Sequence, residues 1–274
     1  MAAVKKSIPE KPSKPASAEI QGSARPAAHG VAQASAAEIS NAKDRPAPKK
    51  AKTRARRTRQ DRGIETRNRL IDAALDSFGR LGFDGASTRE IADKADINIA
   101  LIKYHFGSKE ALHVAVAEHI VSQISERVGP VIVKVNSPES FSSREAARRA
   151  LDRLIETFVD TILGEEKAEQ WARFIVREQM QPTPAFEVIY RFIGTAHEVG
   201  SRLVATALGK DAADEDVKLR AFAIMGQVLV FRVAQTLVLR RMEWRTISEA
   251  ERTRIKRVII SHIDAILDAE ADAQ

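Results

Sequence analysis

From Glu65 onward, apolar residues recur at helical spacing almost without a break, and this periodicity predicts an all-α chain. Leu70, Ile71, Ala74, Leu75, Phe78 and Leu81 share one face of a first helix. Gly82 follows as a left-handed stop, with Phe83-Asp84-Gly85 as the corner. Ser87-Thr88-Arg89-Glu90 reads as a capping box, the Ser87 hydroxyl accepting from the Glu90 amide and Glu90 reaching back. A short helix then runs to about Ala95, with Ile91, Ala92 and Ala95 inward. Asp96-Ile97-Asn98 suits a turn, because Asp and Asn satisfy local amides and tolerate the left-handed region. A second short helix, Ile99–Phe106, ends at Gly107, and Ser108 caps a longer helix from Lys109.

Two short helices joined by three residues and braced by a longer one predict a helix-turn-helix. Its second helix can lie in a major groove with its first residues against base edges. Asn98, Ile99, Ala100 and Lys103 are placed to read bases or thymine methyl groups. Tyr104, His105 and Lys109 are placed to bond phosphate oxygens, and Thr88 and Arg89 are counted with the same DNA-binding set. The competing reading is that Tyr104-His105-Phe106 packs in the core, and Phe106 is expected there.

Thr88-Arg89-Glu90-Ile91-Ala92, then Ala95-Asp96-Ile97-Asn98, then Tyr104-His105-Phe106-Gly107-Ser108-Lys109-Glu110-Ala111-Leu112 resembles the DNA-binding domain of the TetR family of regulators. Leu70–Phe78 and Gly82-Phe83 fit the same pattern. Two positions depart from it: Asp96 stands where the family has Gly, and Lys103 where it has an aromatic residue. The segment Phe174–Phe186 resembles the CecR/CerR-like subgroup of that family. The resemblance implies a helical body that binds a small molecule and forms a homodimer through its last two long helices, with repression as the usual mode.

The body reads as five further helices. The helix from Lys109 is expected to stop at Val128, before Gly129-Pro130, with residues 130–141 as a loop. Ser143–Leu163, Lys167–Met180, Thr183–Leu208, Asp214–Arg241 and Ser248–Asp268 follow, with Thr183-Pro184 as cap and first residue of their helix. Ala221–Leu239 is apolar nearly all round; Gln227, Arg232 and Gln235 interrupt it as a membrane span, so it is read as a buried core helix and no membrane is expected. It and the last helix can pair with a second copy as a four-helix bundle. A two-fold dimer presents its recognition helices about 34–36 Å apart and calls for a near-palindromic operator in double-stranded DNA. Candidate effector contacts are Trp171, Phe174, Arg177, Gln179, Met180, Tyr190, His197, Gln227 and Phe231, aromatic walls with a few polar anchors.

Charge divides the chain. Residues 1–60 hold fourteen Lys/Arg against four Asp/Glu, a net of +10, so the rest carries −3 of the total +7. The same stretch has six of the ten prolines and no aromatic residue, and is expected to be a disordered basic extension. Its end, Lys49–Arg59, reads either as a solvated linker or as an arm along phosphates. The resulting domains are 1–60, a DNA-binding head over 61–112, and an effector-binding and dimerising body over 113–274. The absence of cysteine fits a reducing cytoplasm and excludes thiolate chemistry.

A helical enzyme is the less favoured alternative. His113 and His119 are six apart rather than the four of a zinc-binding pair, and no nucleophile elbow, phosphate loop or dinucleotide loop is present. Glu165, Glu166, Glu169 and Glu178 are read as a solvated face. No catalytic residue, metal or cofactor is expected. A non-specific architectural DNA binder driven by the basic extension is the remaining alternative.

Overall fold

The computed structural model describes residues 49–272, with side chains described over 61–269. Ten α-helices and one 3₁₀ turn make up the described residues, with no strand among them. The head comprises α1 (Lys49–Gly85), α2 (Thr88–Ala95) and α3 (Ala100–Phe106). The body comprises α4 (Lys109–Val135), the 3₁₀ turn Pro138–Phe141, α5 (Arg144–Gly164), α6 (Ala168–Met180), α7 (Pro184–Leu208), α8 (Glu215–Val233), α9 (Gln235–Met242) and α10 (Glu249–Asp272).

The basic extension expected over residues 1–60 lies outside the described residues as far as Pro48. From Lys49 the backbone is helical and continuous with α1. The reason is intrinsic: Lys, Arg, Ala and Gln are good helix formers, so the basic run extends the helix backward.

Leu70, Ile71, Leu75 and Phe78 from α1, Ile91 from α2 and Ile102 from α3 close over Leu112 and Val116 of α4. Leu81, expected on that face, is exposed. Gly82 takes φ 78°, ψ 176°, a region essentially restricted to glycine, and α1 continues for one turn beyond it instead of ending there. Behind the head, α4, α5 and α7 pack on one another, α10 and α8 lie on α5, and α6 joins α1 to the body.

Two boundaries depart from the sequence reading. First, α4 runs through Pro130 to Val135, where a loop was expected. A proline inside a helix costs about 3 kcal/mol. Val128 and Val135 are fully buried and Val131 and Ile132 pack against the core. At roughly 1.5–3 kcal/mol per fully buried side chain, that burial offsets the break. Second, the expected helix over 214–241 is two helices bent by 73° at Ala234. Buried Arg232 sits at the corner, donating from Nε to Ile162 O at 2.7 Å and from Nη1 to Gln235 Oε1 at 2.6 Å. Because α5 ends at Gly164, the Ile162 carbonyl has no helical partner, and Arg232 supplies one.

The bent pair is also not the buried core helix expected over 221–239. Val217, Ala221, Ile224 and Val228 are buried, while Phe222, Leu229, Val230, Val233 and Leu237 are exposed. Among the described residues no single helix is long and apolar enough to cross a membrane.

Candidate nucleic-acid interface

The turn between α2 and α3 is built from local chemistry. Ser87 caps α2 by accepting from the Glu90 amide at 3.0 Å. Asp96 closes α2 in the left-handed conformation, φ 53°, ψ 51°, where its amide reaches Ala92 and Asp93 carbonyls. Asn98 Oδ1 accepts from the Ala100 amide at 2.8 Å, which starts α3 and leaves the side-chain NH2 free to donate outward.

From α1, Arg69 Nη2 donates to the Ala95 carbonyl at 2.5 Å and to the Asp96 carbonyl at 3.4 Å, and lies 3.8 Å from the Asp96 carboxylate. Arg69 therefore holds the turn that aims α3. Sequence reasoning missed it, because a basic residue on an exposed helix face gives no local signal of the turn 26 residues away.

α3 buries only Ile102. Asn98, Ile99, Ala100 and Lys103 are exposed, Ile99 at 49% and Tyr104 at 80%. His105 is half-buried, with its ring edge-on to Tyr104 at 5.0 Å between centroids. On α2, Arg89 is exposed and Thr88 half-buried. Phe106 packs partly against the core, with the Arg67 guanidinium 5.3 Å from its ring centre. Lys109 is half-buried at the start of α4, where Ser108 accepts from the Ala111 amide at 3.1 Å. Its Nζ stands 4.5 Å over the Phe83 ring, which fixes the cation beside α3. The DNA-binding set expected from sequence thus lies together along α3 and the flanking starts of α2 and α4. The arrangement presents a short helix that holds the head core through Ile102, Leu101 and Phe106 on one side and is rich in exposed donors on the other.

Residues 70–116 match the family described as "Bacterial regulatory proteins, tetR family", and residues 147–270 match that described as "HTH-type transcriptional dual regulator CecR, C-terminal domain". The HTH-type transcriptional dual regulator CecR of Shigella flexneri is 34% identical over 213 residues, covering 75% of this chain and 93% of that one. The chain belongs to the TetR family of transcriptional regulators.

The HTH-type transcriptional repressor NicS of Pseudomonas putida is 32% identical over 87 residues, covering 32% of this chain and 41% of that one. A solved structure of a transcriptional regulator from Pseudomonas aeruginosa has a TM-score of 0.56 at 18% identity, covering 76% of this chain and 92% of that one, which is a likeness of fold. In this TetR-family chain the CecR-like part begins within α5 and reaches α10.

The effector candidates do not form one pocket in this regulator. Trp171 and Phe174 are buried in the core, and Phe231 packs partly against it. Gln227 Oε1 lies 3.2 Å from His262 Nδ1 on α10. Gln179, Tyr190 and His197 line a cleft of about 750 Å³ between α7 and α8, whose walls include the stacked rings of Phe186 and Tyr190. Arg177 and Met180 line a second cleft of about 920 Å³ between α1, α6 and the α8–α9 corner. Periodicity assigns residues to helix faces, but which faces meet is decided by packing between distant helices.

Glu178, read from sequence as part of a solvated face, is instead buried at 3% exposure. The reason is the helix break after α6. Thr183, the cap of α7, donates from its amide (3.2 Å) and its hydroxyl (2.8 Å) to Glu178 Oε2. The same hydroxyl lies 3.3 Å from His113 Nδ1. His113 is enclosed by Phe78, Phe83 and Phe174, so this polar cluster joins head and body in the middle of their shared core. Glu165 and Glu169 make ion pairs with Arg127 and Arg173.

Proposed function

We propose that this TetR-family regulator is a repressor that binds a near-palindromic operator as a homodimer and is released by a small-molecule effector. The observation that carries the reading is α3 with the turn before it, which fully buries only Ile102, packs Leu101 and Phe106 partly against the core, and leaves Asn98, Ile99, Ala100, Lys103 and Tyr104 exposed. Its donors match base edges and phosphates. The exposed apolar row Leu219, Phe222, Leu229, Val230 and Val233 on α8, with Val258 on α10, supports pairing of two copies through α8 and α10. Repression, effector release and action on DNA in the cytoplasm follow the family's usual mode.

The test is selection of bound duplexes from a random pool with the full-length protein, together with its mass in solution by light scattering. The reading expects one enriched sequence with two-fold symmetry and a dimeric mass. Retention of random duplexes without enrichment would instead favour the architectural alternative. A chain that stays monomeric at micromolar concentration overturns the dimer.

A further inference from the structure

The cleft between α1, α6 and the α8–α9 corner holds an unusual set of cations. Arg80 is paired with Asp76 at 3.6 Å, and Arg173 with Glu169. Arg177 and Arg232 also line the cleft, and among the described residues neither has a carboxylate within ion-pair distance. Both are engaged with neutral groups only. Arg177 Nε donates to Gly79 O at 2.8 Å and its Nη2 to Arg80 O at 2.5 Å. These two carbonyls precede the Gly82 kink, which removes their regular helical partners. Arg232 is 8% exposed and spends Nε and Nη1 on Ile162 O and Gln235. Burial pulls its guanidinium below the ordinary value, with the Glu169 charge opposing.

A guanidinium has five donors, so each arginine keeps donors and its whole charge after these bonds. Arg232 is buried with only neutral hydrogen-bond partners and is poorly compensated for its lost hydration, whereas Arg177 lies exposed on the cleft wall; a bound anion reaching both supplies Arg232 with the charge it lacks. Val176, Met180 and Leu239 give the same cleft an apolar wall.

We infer that this cleft is the effector site and that it takes a small molecule bearing one anionic group on an apolar body. The anion sits between Arg177 and Arg232, and the body lies along Val176, Met180 and Leu239. The inference rests on the effector-release reading above and adds the ligand's chemistry and its lever. An anion that draws Arg177 away from the Gly79 and Arg80 carbonyls unfastens the end of α1 from α6. The head is then free to shift on the body, and its fit to the operator declines.

Two dyes of matched shape test this on the full-length protein: anilinonaphthalenesulfonate, which is anionic and apolar, and phenylnaphthylamine, which is neutral. Fluorescence titration is expected to give the sulfonate about a tenfold or greater advantage, the worth of one charge-assisted bond. Arg177→Met is expected to erase that advantage. Thr236→Trp fills the cleft from the exposed face of α9 and leaves the arginines in place; it is expected to abolish the tight sulfonate site with the helical circular dichroism unchanged. Sulfonate added to the operator complex is expected to weaken wild-type binding and to leave Thr236→Trp unaffected.

Equal affinity for the two dyes, or sulfonate binding that Thr236→Trp does not change, overturns the inference. If Arg177→Met fails to fold, Thr236→Trp decides alone. Operator affinity without dye is measured in parallel. A protein that binds its operator but ignores the sulfonate loses only the cleft assignment, whereas one that ignores every duplex loses the regulator reading itself.

Discussion

His113 Nε2 on α4 lies 3.5 Å from Glu178 Oε1 on α6, and both residues are 3% exposed. Burial, helped by the Lys109 cation, pushes the His113 imidazole down from 6.5 to about 4, so near neutral pH this is a contact of an uncharged ring. The unfolded chain takes up a proton below 6.5 that the folded ring refuses until about 4. Stability is therefore full above 6.5 and declines as pH falls towards 4, by on the order of 3 kcal/mol. Urea midpoints against pH check it: the difference between wild type and His113→Asn should be largest near neutrality and shrink as pH falls. A constant difference would count against a buried neutral ring.

Asp152 behaves in the opposite sense. Its carboxyl is raised from 3.8 to about 6, by burial first and then by Asp264 and Glu156. A raised acid costs stability as pH climbs through that window, because the folded state holds the proton longer. Asp152→Asn should stabilise the protein above pH 6, by about 1 kcal/mol after allowance for partial exposure, and add nothing below 3.8. Thermal midpoints at the two ends of the range decide it.

Arg69→Ala removes the donors that hold the Ala95 and Asp96 carbonyls. The loss should be about 1 kcal/mol of stability, with a fall in operator affinity of about fivefold. Unchanged affinity on the selected duplex would show that the turn holds its aim without this brace.

On the DNA face, two lysines should separate by the kind of contact they make. Lys109→Ala should weaken binding to all duplexes and reduce the slope of log affinity against log salt by about 1. Lys103→Ala should cost about 1–3 kcal/mol on the operator and little on random DNA. Fluorescence anisotropy at several salt concentrations distinguishes them. Matching losses on operator and random duplex for both variants would remove Lys103 from the base-reading set.

Val230 is half exposed in the apolar row of α8. Val230→Asp puts a charge into the proposed dimer seam, at a cost of several kcal/mol if it is buried there without a partner. The dimer should dissociate about a hundredfold more readily, as read by sedimentation, while the helical content stays constant.

The recognition head was legible because its signals are local. Ser87, Asp96, Asn98 and Ser108 each satisfy a backbone group within four residues, so the sequence around them states the turn. Thr183-Pro184 opens α7 for the same reason. What escaped depends on partners far along the chain. Pro130 stays helical because Val128 and Val135 find a core, and the corner at Ala234 is held by Arg232 on Ile162, 70 residues earlier. Glu178 looked like one more surface acid until Thr183 and His113 closed around it. The effector candidates scattered because aromatic residues and anchors at helical spacing do not reveal which helices will face one another.

The uninterrupted passage of α4 through Pro130 has a mechanical consequence. A helix of 27 residues spans about 40 Å, with one end beside α3 and the other deep in the body. Swinging such a rod by about 5° about its far end carries the near end roughly 3.5 Å, close to the rise of one base-pair step. A loop at residues 129–130 would have absorbed that swing. A stiff shaft delivers it, so in the dimer proposed above a tilt of about 5° pivoting at buried Val135 would move each reading head by about one base-pair step relative to its half-site.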